Sequence, residues 1–149
     1  MQKNNLILFV GTILFLLTII FLNLSKPVSP LTHNNKIKIA ETSFNLEVAD
    51  TDLERMKGLS SRTSLEAKNV LLFVFEKEER HGIWMKDMYF PIDIAWIDKD
   101  KKIIHIEKEV SPNTFPKVFR PEEVAMYVIE LNSGLIDLNK IKIGDSVEF

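Results

Sequence analysis

Residues 84–98 constrain the fold more than any other part of the chain. This stretch is largely apolar and has the composition of a buried strand, yet Lys86 and Asp93 interrupt it. Charged side chains are rarely buried unless they are paired or have a functional task. The sequence therefore predicts strand structure here, with Lys86 and Asp93 held either in ion pairs or in a polar site.

Short segments with the periodicity of strands follow one another after residue 36. Alternating apolar and polar residues are typical of a strand with one buried face, and a short unbroken apolar run is typical of a fully buried strand. We predict strands at residues 36–39, 44–49, 70–75, 92–98, 103–107, 124–131 and 142–149. Turns at residues 40–43 and 99–102 would make two hairpins.

The order of these segments determines the fold class. No alternation of strands and long helices is present, so a doubly wound parallel sheet is not expected. We predict an α+β or mainly β fold, which is a single compact domain of short, mostly antiparallel strands. They would form a curled sheet or partly open barrel with two short helices.

The two helices are predicted from local signals. Thr51 and Glu54 have the spacing of a capping box, and Gly58 follows four residues after Glu54, where a short helix would end. In this helix we expect Leu53 and Met56 to face the core. Residues 134–140 predict one or two further helical turns.

The N-terminal part of the chain is organised differently. Residues 6–22 are uncharged and largely apolar, and a helix of this length spans roughly 25 Å, close to a bilayer core. We interpret residues 1–24 as a single-pass membrane anchor and residues 25–35 as a tether. The domain of residues 36–149 would then face outside the cytoplasm at the cell membrane. The alternative is a cleaved signal that leaves a secreted domain.

Composition excludes several classes of function. The 149 residues include 19 basic and 21 acidic ones, so there is no overall positive field for nucleic acid. The absence of cysteine excludes disulfides, thiolate metal sites and a cysteine nucleophile. His81 and His105 have no second ligand at metal spacing, so we expect no metal site and no cofactor.

Several short motifs occur in an order that is familiar from one protein family. They are Arg55 with Gly58-Leu59, Arg62 with Leu65, residues 72–75, 84–86, 91–94, 97–98 and 127–131, and Gly144-Asp145. In these motifs the chain resembles the DUF192 (UPF0127) family of uncharacterised proteins. The resemblance implies a shared domain without an established activity. Three positions depart from the family pattern. Val70 and Lys101 occupy positions where glycine is usual, and Met88 occupies one where threonine is usual. Met88 would therefore leave the expected site without a hydroxyl.

The charged and aromatic residues of these motifs define a candidate site. If residues 83–86 and 92–98 are antiparallel neighbours, Lys86 and Asp93 come close together. A pocket with convergent charges and an aromatic wall suits a small polar or anionic molecule, such as a sugar or a carboxylate. In a reaction, Asp93 would be the general acid or base and Lys86 the electrostatic stabiliser. The predicted ligand-binding residues are Arg55, Arg62, Trp84, Lys86, Asp93 and Glu130.

The same charges also have a structural interpretation. Asp93 can pair with Lys86 or Arg55, and the inward-facing Glu130 can pair with Arg55 or Arg62. The domain would then be a non-enzymatic module that contacts a protein partner in the cell envelope. The long loop 111–123, with three prolines and two phenylalanines, suits either such contacts or a cover for the sheet. The sequence leaves both hypotheses open.

Overall fold

Nine short strands and two short helices make up the regular structure of residues 35–149, which is the range that the computed structural model describes. In chain order they are β1 (Lys36–Ile39), β2 (Thr42–Ala49), α1 (Asp52–Lys57), β3 (Asn69–Glu79), β4 (Ile83–Trp84), β5 (Ile92–Ile97), β6 (Ile103–Val110), β7 (Val118–Phe119), β8 (Ala125–Asn132), α2 (Leu135–Leu138) and β9 (Val147–Glu148). The mainly β architecture with two short helices, predicted from the sequence, is confirmed.

Seven of the strands form one curled sheet in the order β6-β5-β8-β3-β2-β1-β9. All neighbours are antiparallel except β2 and β3, which run parallel. The two outer strands approach each other at one corner, where Lys102 forms a bridge with Ser146 and the Gly144 N–H donates to the Ile103 carbonyl at 2.8 Å. The sheet is thus a half-barrel, which confirms the predicted curled sheet or partly open barrel.

Both faces of this sheet are buried, because side chains alternate between them along each central strand. On β5, Trp96 belongs to one apolar cluster and Ile97 to the other, and on β8 Val128 and Ile129 divide in the same way. We call the Trp96 side the first face and the Ile97 side the second face. Burial of each such large apolar side chain contributes about 1.5–3 kcal/mol.

A second, two-stranded sheet joins β4 to β7 of the proline-rich loop, pairing Ile83 with Phe119. The expected antiparallel pairing of residues 83–86 with β5 is therefore wrong. The reason is that β6 and β8 already occupy both edges of β5. Phe119 is buried in the first-face cluster, so this part of the loop does cover the sheet.

Helix α1 begins with the predicted capping box. The Glu54 N–H donates to the Thr51 hydroxyl at 3.3 Å, and the Thr51 N–H donates to the Glu54 carboxylate at 3.1 Å. The bond from the Thr51 hydroxyl, with backbone N–H bonds, lowers the pKa of Glu54. The expectation that Leu53 and Met56 face the core is wrong, since they are 77% and 74% exposed.

The predicted anchor at residues 1–24, and most of the tether that follows it, lie outside the described residues. From residue 35 onward, no helix has both the length and the apolar character needed to cross a membrane.

Candidate functional site

A cavity of about 60 Å³ opens on the first face. It is bounded by α1 and the residues that follow this helix, and by the strands β3, β4 and β8. One water needs about 10–15 Å³ of such space, so the cavity has room for a few waters or a small chemical group. We call it the Glu130 cavity, after the acidic residue that lines it. Its apolar lining residues are Met56, Leu59, Phe73, Ile83, Trp84 and Met88, and its polar side chains are those of Arg55, Lys57, Ser60 and Glu130.

Glu130 reaches this cavity because of the register of β8. The strand places Glu130 opposite Leu71 on one side and Ile94 on the other, so its side chain points to the first face among apolar neighbours. Glu130 is only 5% exposed, and the oxygen Oε2 of its carboxyl group is enclosed without a hydrogen-bond partner among the described residues. Nearly all buried polar atoms in proteins have a partner, so this atom marks the cavity as unusual.

Burial also changes the protonation of Glu130. Loss of solvation raises the pKa of its carboxyl group to about 8, against the opposing effect of the positive charge of Arg62. At pH 7 the group is mainly a neutral carboxylic acid, which has one O–H to donate. The Glu130 cavity therefore offers a hydrogen-bond donor among polar and apolar lining residues.

Arg62 does not form the expected ion pair with Glu130. Its guanidinium instead pairs with Glu47 at 2.8 Å, and the Asn69 amide donates to the other oxygen of Glu47 at 3.1 Å. Glu47 is available there because the parallel pairing of β2 with β3 places it next to Leu71. Arg62 thus influences Glu130 through its charge while its hydrogen bonds go to another carboxylate.

Arg55 lines the cavity, but its guanidinium group attaches α1 to the sheet. It donates to the Val74 carbonyl at 2.7 Å, pairs with Asp52 at 2.6 Å and lies over the ring of Phe75, 5.6 Å from its centroid. This anchoring side of the six-residue helix faces the sheet, which leaves Leu53 and Met56 to solvent.

Trp84 and Lys86 lie together at the mouth. The Trp84 side chain lines the cavity and is 50% exposed, and the Lys86 ammonium lies 5.9 Å from its ring centroid. Phe115 of the proline-rich loop contacts Trp84 edge-on, with 6.0 Å between ring centroids. Ser60 fixes this segment by donating its hydroxyl to the Lys86 carbonyl at 2.9 Å.

Asp93 lies away from this group, on the second face. Its carboxylate is fully buried and accepts from the backbone N–H groups of Glu109 at 2.8 Å and Ile136 at 2.9 Å. It thereby joins the end of β6 to the first turn of α2. The considered pairing of Asp93 with Lys86 or Arg55 is replaced by these two bonds, because the hairpin that would have brought Lys86 close is not formed.

The structure therefore brings Arg55, Trp84 and Glu130 to one cavity, with Arg62 and Lys86 nearby, and places Asp93 elsewhere. Sequence reasoning missed Met56, Lys57 and Ser60 as lining residues. Met88 was expected at the site as a departure from the family pattern, and it lines the cavity. No group of three or more metal-ligating side chains occurs in residues 35–149.

Comparisons with known proteins agree with this fold. The profile of the DUF192 family, described as "Uncharacterized ACR", matches residues 31–149. UPF0127 proteins of Pyrococcus abyssi and Pyrococcus furiosus are 28% and 27% identical over 120 residues, covering 77% of this chain and 94% and 95% of theirs.

Two crystal structures are similar to this fold at a TM-score of 0.72 each. One is a protein of Sinorhizobium meliloti 1021 whose name proposes a role in transcription regulation, 25% identical over 76% of this chain and 91% of that one. The other is a protein of unknown function from Novosphingobium aromaticivorans, 27% identical over 76% and 84%. The family profile spans most of the chain, and the chain belongs to the DUF192 family.

Proposed function

We propose that this domain binds a small polar molecule in the Glu130 cavity. We also propose that it does so outside the cytoplasm, on a chain held to the membrane by residues 6–22. The observation that carries the proposal is the buried carboxyl group of Glu130, a residue that lines the cavity and whose Oε2 lacks a partner in the described part of the chain.

The enclosed Oε2 of Glu130 carries an energetic cost. A buried polar group without a partner costs about 1–3 kcal/mol, and a functional role is one explanation for such a group in a native protein. A ligand oxygen that accepts a hydrogen bond from the protonated carboxyl group would offset the cost. Perturbed carboxyl groups in clefts occur preferentially at functional sites for the same reason.

The walls of the cavity support the same conclusion. Small-molecule sites are mainly apolar and have a few directed polar groups. Here Met56, Leu59 and Trp84 supply apolar contact, and Glu130 supplies the directed group. Trp84 offers a flat, accessible face for a sugar ring or for the carbon chain of a carboxylate.

Thermal unfolding of the full chain against a panel rich in sugars and carboxylates tests the proposal. A ligand at about 100 times its dissociation constant adds about 2.7 kcal/mol, which raises Tm by about 10 °C for a domain of this size. We expect the shift to disappear in Trp84→Ala and to persist in the control Leu138→Ala, which truncates another exposed side chain. No shift in the wild type, or an equal shift in all three proteins, would contradict the proposal.

A second candidate function is contact with an envelope protein. It is favoured by the large apolar side chains that remain exposed, namely Leu53, Met56 and Phe115. If a protein partner uses this surface, chemical cross-linking of the partner to the full chain in membranes should be lost in Leu53→Ser and in Phe115→Ser. Cross-linking that persists in both variants would exclude this function for the surface.

A further inference from the structure

We infer that the ligand of the Glu130 cavity is a short organic anion with a hydroxyl or carbonyl oxygen at the end opposite its carboxylate. This inference rests on the function proposed above and specifies the chemical class of the ligand. It depends on two features of the cavity, which are the donor inside and the unpaired positive charges at the mouth.

The inner end of the ligand is defined by Glu130. Its enclosed carboxyl group lies among apolar side chains and has an O–H to donate. An acceptor on the ligand can satisfy this donor, and a hydroxyl or carbonyl oxygen provides one without bringing a charge into the cavity. An ammonium group would require Glu130 to ionise, and the neighbouring Arg55, Lys57 and Arg62 would repel it.

The outer end is defined by Lys57 and Lys86. Lys57 lines the cavity and Lys86 lies above the ring of Trp84, and both are exposed. Neither takes part in an ion pair with another residue in the range 35–149. On the adjacent helix, Asp52 pairs with Arg55, whereas Glu54 bonds to Thr51 and keeps its negative charge. The two unpaired ammonium groups of Lys57 and Lys86 are the groups at the mouth that favour an anion.

The size of the cavity limits the length of the ligand. About 60 Å³ admits a few non-hydrogen atoms beyond the mouth. The apolar side chains among its lining residues suit methylene groups. We therefore choose probes with a chain of about four carbons, which is short enough for a cavity of this size.

Three probes that differ only in the charge of one end test this inference: 4-hydroxybutyrate, 1,4-butanediol and 4-amino-1-butanol. We would label the full chain with 5-fluorotryptophan and titrate each probe by fluorine NMR. Trp84 at the cavity mouth reports binding, and the fully buried Trp96 serves as an internal control that should not move. We expect the anion to bind about tenfold more tightly than the diol, and the amine to bind least.

Two variants assign the preference to its causes. The double variant Lys57→Gln, Lys86→Gln should bind the anion and the diol equally, and Glu130→Leu should weaken both. Diol or amine binding at Trp84 that equals or exceeds anion binding would overturn the inference and leave the proposed function intact. No response of Trp84 to any probe would overturn the inference, while the wider panel of sugars and carboxylates decides the proposed function. Equal binding in Glu130→Leu would overturn both.

Discussion

Asp93 and Glu130 are the two acidic residues buried in the described domain, and they belong to neighbouring strands. Asp93 lies opposite Leu131 and Glu130 lies opposite Ile94, so a single step in the register sends them to opposite faces of the same sheet. Asp93 accepts two backbone N–H groups. Glu130 has an enclosed oxygen without a partner in residues 35–149.

The buried carboxyl groups on the two faces have different roles, one structural and the other, in our proposal, functional. On the second face the carboxylate completes the hydrogen bonding of a strand end and a helix start, so it stabilises the fold. On the first face the carboxyl group borders a cavity and is neutral near pH 7. The same side-chain chemistry thus supports the fold in one place and, in our proposal, binds a ligand in the other.

Replacing each carboxyl group by its amide should give the largest contrast. In Asp93→Asn the amide N–H₂ faces a backbone donor, so we expect a loss of about 3–4 kcal/mol in the free energy of unfolding. In Glu130→Gln we expect less than about 1 kcal/mol at pH 7, because a neutral group replaces a neutral group. Urea denaturation of both full-length variants measures this, and equal losses would remove the distinction between the faces.

The stability of the wild type should fall as the pH rises. Folded Glu130 keeps its proton up to a pKa of about 8, whereas the unfolded group ionises near the ordinary glutamate pKa of 4.5. Between these values the folded state binds more protons, and each pH unit costs about 1.4 kcal/mol, or about 3 kcal/mol from pH 5.5 to 7.5. Glu130→Gln should lack this dependence when urea denaturation is repeated across the pH range. An identical pH profile in both proteins would contradict the account.

Substitution of two methionines allows the inner wall of the cavity to be compared with its rim. Met88 is 8% exposed and Met56 is 74% exposed, and both line the cavity. We expect Met88→Ala to cost about 2 kcal/mol, because it removes buried contacts, and Met56→Ala to cost less than about 0.5 kcal/mol. A costly Met56→Ala in thermal unfolding would mean that α1 does face the core.

Arg62 should have the smallest effect on stability and a specific effect on Glu130. Its pair with Glu47 is about one-third exposed, so Arg62→Gln should cost no more than about 1 kcal/mol. Because the positive charge of Arg62 lowers the pKa of Glu130, its removal should extend the pH-dependent loss of stability to higher pH. An unchanged pH range would show that Arg62 does not influence the cavity.

Local patterns predicted much of this fold. The alternation on β8 predicted that Glu130 faces inward, and the capping box predicted where α1 begins. The hairpin of β5 and β6 followed from two apolar runs around a charged turn. Each of these features depends on residues that are close in sequence, so each leaves a local signal.

The partners of the buried groups left no such signal. Arg62 pairs with Glu47 because β2 and β3 are parallel, and Asp93 meets the Ile136 N–H across 43 positions of sequence. The sequence of residues 83–98 predicted a hairpin there, but β8 competes for the same edge of β5. Tertiary pairing of this kind decides which charges meet, and no local pattern records it.

The central claim is that Glu130 is a buried acid that stays neutral in the folded protein until the pH reaches about 8. The most direct test is carbon-13 NMR of the glutamate carboxyl groups in the full chain, titrated with pH and assigned through the signal missing in Glu130→Gln. We predict a midpoint of about 8 for Glu130. A midpoint at the ordinary glutamate value of 4.5 would show an accessible, solvated carboxylate and would contradict the account.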